Sequence, residues 1–115
     1  MTGRAVAIFG LGAMGSGMAG ALLRAGLTTH GFDINPDAVA RFQAAGGAKG
    51  TIEEVAASLD AVVIVVVNAA QTESVLFGAG GIAAKLAPGT VVVACATVAP
   101  DVARDFGARC SALGL

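Results

Sequence analysis

The sequence predicts an α/β fold: a doubly wound, mostly parallel sheet of about five strands with helices on both faces. Three observations carry this. Apolar bursts alternate with helix-spaced segments from one end of the chain to the other. One burst, Ala61–Val67 (AVVIVVV), is apolar at every position, as in a parallel strand buried on both faces. A glycine cluster separates the first burst from the first helical segment.

Ala5–Phe9 is a short β-rich run that ends at Gly10. From Met14, apolar residues recur at Met18, Leu22 and Ala25, which is helical spacing, and Gly26 is a stop signal. Thr28–Phe32 reads as the second strand. Asn35 then caps a helix with Pro36 at its first position, and Val39 and Phe42 supply the inward face. Gly46-Gly47 ends it, and Ala48–Gly50 forms a short third strand. Thr51 and Glu54 match a capping box, with Val55 and Leu59 facing inward. Ala61–Val67 is the fourth strand, followed by a helix over Ala69–Phe77 and a break at Gly78–Gly81. Ile82–Leu86 is a helical turn, and Pro88-Gly89 leads into the fifth strand, Val91–Ala94. A last helix carries Val102, Phe106, Cys110 and Leu113 on one face. Alternation of this kind implies right-handed crossovers.

The 115 residues fit one domain, spanning the whole chain. At 56% hydrophobic and 13% charged, the chain is more apolar than an average soluble domain. The excess is in small residues, which let helices lie close to a sheet. A net charge of -1 without a basic stripe argues against nucleic acid. No run reaches the roughly 18–20 apolar residues of a membrane span. The stretch Met1–Gly15 imitates a signal peptide, but its apolar part is short and is cut by Gly10 and Gly12. Cys95 and Cys110 have neither metal spacing nor a C-x-x-C pattern, so no metal site and a reducing, cytoplasmic setting are expected.

Gly10-Leu11-Gly12-Ala13-Met14-Gly15 is a complete G-x-G-x-x-G. The pattern alone is weak in a chain with 17 glycines. Here a strand precedes it and a helix follows, the context of a Rossmann-type dinucleotide site. Gly10 serves the tight turn, Gly12 the close approach of a pyrophosphate, and Gly15 the packing of helix on strand. The helix N-terminus offers free N–H groups to the phosphates. Asp33 lies 21 positions after Gly12, where the fingerprint expects a carboxylate for the adenosine ribose. A carboxylate repels a 2′-phosphate, and Ile34 and Asn35 follow rather than Arg. The expected cofactor is NAD rather than NADP, with Ile34 joining the candidate contacts. S-adenosylmethionine fits this combination less well.

Ile8–Gly26 (IFGLGAMGSGMAGALLRAG) with Gly31–Val39 (GFDINPDAV) resembles the β-hydroxyacid dehydrogenase family, which includes 3-hydroxyisobutyrate, tartronate semialdehyde and L-threonate dehydrogenases. The resemblance continues through Val66–Gly78 and Cys95–Pro100 and covers essentially the whole chain. Asn68–Gly78 looks closest to the L-threonate dehydrogenase branch. By matched position the resemblance implies cofactor contacts at Val67 and Asn68, though the family often has Pro where Asn68 stands. It also implies a contact near the nicotinamide at Thr97. Ala96 replaces one hydroxyl of the family's usual pair, and Thr97 could equally cap the last helix.

Members of that family run about two to three times this length, in line with a second domain. The resemblance places their substrate-binding glycine motif and catalytic Lys beyond Leu115. Lys49 and Lys85 match neither and read as solvated surface residues. No residue here qualifies as the proton carrier that hydroxy-acid oxidation needs. His30 reads as a surface or packing residue rather than a catalytic one, Cys95 as a small buried hydrophobe and Asp60 as a turn residue. Two readings stay open: the cofactor domain of a dehydrogenase acting on a small hydroxy acid, or an NAD-binding or sensing module without catalysis. A missing sixth strand would leave the sheet edge uncovered and favour a homo-oligomer.

Overall fold

A computed structural model describes residues 4–115, so the first three residues of the signal-like stretch lie outside the described residues. Four strands run parallel: β1 (Ala5–Phe9), β2 (Thr28–Phe32), β3 (Ala61–Ile64) and β4 (Val91–Ala94). Their order across the sheet is β2-β1-β3-β4. The helices are α1 (Ala13–Arg24), α2 (Pro36–Ala44), α3 (Ile52–Val55), α4 (Ala69–Phe77) and α5 (Pro100–Ala112), with 3₁₀ turns at Ala56–Ser58 and Ala83–Lys85.

The alternation of β1 sorts the core into two layers. Ile8 points to the side of Leu11, Ala19, Ala38 and Phe42, where α1 and α2 pack. Ala7 points to the other side, with Val62, Ile64, Leu76 and Cys110, where α4 and α5 pack. The small inward residues of α1, Gly15 and Ala19, let that helix lie close on β1. Asn35 caps α2 by accepting the Asp37 N–H at 3.0 Å, and the capping box of Thr51 and Glu54 forms with both bonds in place.

The sheet has four strands rather than five. Ala48 makes one bridge to His30, and Gly50, at φ +122°, turns the chain before a second pair can form. The fourth apolar run pairs only from Ala61 to Ile64, because its neighbours end at Phe9 and Ala94. Leu113 lies past the end of α5 and is exposed, so Phe106 and Cys110 carry the buried face of that helix. Asp60 is more than a turn residue. Its Oδ2 accepts the Ala5 N–H at 2.8 Å, and its carbonyl accepts the Val91 N–H at 3.1 Å, which gathers the N-terminal ends of three strands.

Candidate functional site

Register places the C-terminal ends of all four strands level: Phe9 pairs with Phe32 and Ile64, and Ile64 with Ala94. The chain leaves β1 in one direction and β3 in the other, so the strand order reverses between them. Open parallel sheets bind ligands at that crevice. Gly10–Gly15, Asp33-Ile34, Val67-Asn68 and Thr97 all follow strand ends at this one edge.

The three motif glycines meet different surroundings. Gly10 has φ +103°, and a Cβ there would fall 2.0 Å from the Val65 carbonyl oxygen. A Cβ on Gly15 would fall 1.8 Å from the Gly10 carbonyl oxygen. These two hold β1, α1 and the end of β3 in contact. A Cβ on Gly12 would meet nothing within 4 Å. Gly12 caps α1 without a side-chain bond, and the first turn of the helix has no acidic residue. The N–H groups of a first turn have no partner inside the helix and carry partial positive charge. Open space, free donors and no acidic side chain in the helix's own first turn suit a pyrophosphate. Ala13 and Met14 are exposed at this start, and Leu11 is buried beneath it.

Asp33 directly follows β2 and is already engaged. Its Oδ2 accepts the Leu11 N–H at 2.7 Å and its Oδ1 accepts the Asn35 N–H at 2.9 Å. The Leu11 N–H first, then that of Asn35, holds this carboxyl below the usual carboxylate range. A carboxylate has about four acceptor sites, so room is left for ribose hydroxyls. The structure shows a task for this residue that spacing does not reveal: it ties the glycine loop to the end of β2. Beside it Ile34 is fully exposed, and at the end of β3 Val67 is 80% exposed. Both are large apolar side chains left exposed on segments that follow the strand ends bordering the crevice.

Asn68 caps α4 by accepting the Gln71 N–H at 2.9 Å. Gln71 in turn accepts the Val67 N–H at 2.7 Å, a bond that the sequence reading missed. Its signal was the N-x-x-Q spacing, a relative of the capping box. Thr97 is exposed after β4. It does not cap α5, because the cap position is Ala99 and no side chain bonds there. Cys95 is exposed rather than buried, since nothing covers the end of β4 on its outer side, while Cys110 is buried. His30 is buried in β2, as a packing role requires. Lys49 is exposed as expected, but Lys85 is half-buried and reaches Glu53 at 3.4 Å and the Gly80 carbonyl at 3.3 Å. Among the described residues no group of three or more His, Cys, Asp or Glu could hold a metal ion. Nor is any helix long and apolar enough to cross a membrane.

The sequence and fold have counterparts among known proteins. The chain is 47% identical over 113 residues to an L-threonate dehydrogenase from Cupriavidus necator, covering 97% of this chain and 38% of that protein. It is 33% identical over 112 residues to a 3-hydroxyisobutyrate dehydrogenase from Pseudomonas aeruginosa, covering 96% and 37%. The crystal structure of a 3-hydroxyisobutyrate dehydrogenase from Salmonella typhimurium superposes with a TM-score of 0.90 at 45% identity, over 97% of this chain and 39% of that one. The chain thus spans well under half the length of these relatives. A family model for the NAD binding domain of 6-phosphogluconate dehydrogenase matches residues 5–115, and the chain belongs to that family of NAD-binding domains.

Proposed function

We propose that this chain is the cofactor-binding part of an NAD-dependent dehydrogenase acting on a small β-hydroxy acid of the L-threonate or 3-hydroxyisobutyrate kind. The observation that carries the reading is the pairing of an open, acid-free start of α1 at Gly12 with an ionised Asp33 one strand away. The backbone of Gly10–Gly15, with Leu11, Ala13 and Met14 between the glycines, would receive the pyrophosphate. Asp33 would take the adenosine ribose. Ile34 and Val67 would lie against the adenosine half, and Asn68 and Thr97 would extend toward the nicotinamide. When bound, NAD supplies the hydride acceptor; the residues here bind and orient it. The proton carrier and substrate contacts would come from the part of such a dehydrogenase that this chain does not span. The two free thiols, Cys95 and Cys110, support a reducing, cytoplasmic setting.

Calorimetric titration of NAD and NADP into the wild type and Asp33→Ser tests the reading. The wild type is expected to prefer NAD. Losing hydrogen bonds to a charged acceptor is expected to weaken NAD binding in Asp33→Ser about tenfold or more and to narrow the preference. Tighter NADP binding by the wild type would overturn the cofactor assignment. With L-threonate or 3-hydroxyisobutyrate added, the chain alone is expected to bind NAD without turnover.

A further inference from the structure

We infer that Gln71 is a positioning residue for the cofactor crevice: its side-chain oxygen holds the segment after β3 so that Val67 faces the crevice. The inference rests on the functional reading above. Pairing of β3 ends at Ile64, and the last bond from this run to the sheet is the Val65 N–H to the Phe9 carbonyl, at 2.7 Å. From Val66 onward the chain leaves the sheet. Val67 is 80% exposed, and burial does nothing to hold it.

What does hold it is a reciprocal lock. Asn68 Oδ1 accepts the Gln71 N–H at 2.9 Å, and Gln71 Oε1 accepts the Val67 N–H at 2.7 Å. Behind them, the Thr72 N–H and hydroxyl both donate to the Asn68 carbonyl at 3.1 Å, and Thr72 is buried. The start of α4 is therefore firm, and Gln71 transfers that firmness one residue beyond the cap. An ordinary capping box returns its second bond to the cap residue itself. Here the bond goes to Val67, which follows the strand end bordering the crevice and whose side chain is exposed. An exposed glutamine on a helix needs no such bond for stability, but a crevice wall needs a fixed backbone to keep its side chain in place.

The test uses Gln71→Met, of similar length without the acceptor, and Gln71→Glu, which keeps an acceptor oxygen. Hydrogen exchange at the Val67 amide and NAD affinity are measured in each, and both are repeated in a Val67→Ala background. Gln71→Met is expected to speed Val67 exchange and to weaken NAD binding about fivefold, the worth of one hydrogen bond. Gln71→Glu is expected to restore slow exchange. In the Val67→Ala background Gln71→Met is expected to cost no further affinity, because the side chain that it positions is gone. Fast Val67 exchange with unchanged NAD affinity in Gln71→Met would overturn the inference, as would an equal affinity loss in both backgrounds. Absence of NAD binding by the wild type would instead overturn the functional reading on which it rests.

Discussion

At Gly15 one added methyl group would sit 1.8 Å from the Gly10 carbonyl, and at Gly12 the same group would meet nothing. The motif writes both positions with one letter, yet their substitution has opposite consequences. Gly15→Ala forces α1 off β1 and is expected to destabilise the fold by about 1–3 kcal/mol, the usual cost of overpacking. Gly12→Ala keeps an ordinary φ of -68° and meets no atom, so it should cost only the cap preference of glycine over alanine, about 1 kcal/mol or less. Its methyl group would occupy the space offered to the pyrophosphate, so NAD affinity should fall sharply. Urea denaturation and NAD titration of both variants check this; a stable Gly15→Ala or a tightly binding Gly12→Ala would contradict it. His30 sets a second residue-scale expectation. Its Nδ1 is buried with no hydrogen-bond partner, and burial pushes its pKa below 6.5, against the opposing Lys49 backbone. As pH falls through about 6.5 the unfolded chain takes up this proton and the folded chain does not, so stability declines until the lowered folded pKa is reached. The carboxylates with lowered pKa, among them Asp33 and Glu54, add their losses at more acid pH. The urea midpoint should drop between pH 7.5 and 5.5 in the wild type and drop less in His30→Leu. An equal drop in both would assign the effect elsewhere.

Elements held by local chemistry were legible in the sequence. The strand Thr28–Phe32, the helix Ala69–Phe77, the Asn35 cap and the Thr51 capping box all form where their residues predict. Errors arose where pairing decides. Val66-Val67 is as apolar as a strand but has no neighbour to pair with, and Ala48 has one neighbour and a glycine two residues on. The site followed the same rule: the glycine loop and Asp33 could be found by spacing, whereas the bond from Leu11 to Asp33 depends on two strands lying side by side. Contacts between helices were invisible for that reason. Arg109 of α5 grips Glu73 of α4 in a two-pronged bond, at 2.6 and 2.9 Å, across 36 positions. The same guanidinium meets Asp105 at 3.3 Å and lies 3.9 Å above the Phe77 ring. Such geometry needs a planar fork, and a lysine ammonium cannot supply it. Arg109→Lys should therefore loosen α5 nearly as much as Arg109→Met, read as faster amide exchange along Pro100–Ala112. Full protection in the lysine variant would show that charge alone suffices.

The whole molecule is asymmetric across its sheet. The helices α1 and α2 cover one face over β2, β1 and β3, but their layer stops short of β4. Val91 and Val93, on that face of β4, are 56% and 44% exposed. On the opposite face a cleft of about 430 Å³ opens between β4 and α5, lined by Leu76, Val92, Val98 and Phe106. Among the described residues, the outer edge of β4 also carries backbone donors and acceptors with no strand beside them in the sheet order. Natural sheets usually protect such an edge with charge, Pro or a covering segment. This edge has valines, and the chain's net charge of -1 offers little repulsion between copies. The proposed cofactor crevice centres between β1 and β3, and of its proposed contacts only Thr97 follows β4, so binding and association should largely separate. The 115-residue chain is expected to self-associate at high concentration through β4, and Val93→Lys should shift it toward monomer while leaving NAD affinity within about twofold, the scale of a neutral surface change. Light scattering over a concentration series, paired with NAD titration, measures both. A wild type that stays monomeric throughout would refute the role of this edge, and a Val93→Lys chain that loses NAD along with its self-association would show that the edge and the crevice act as one.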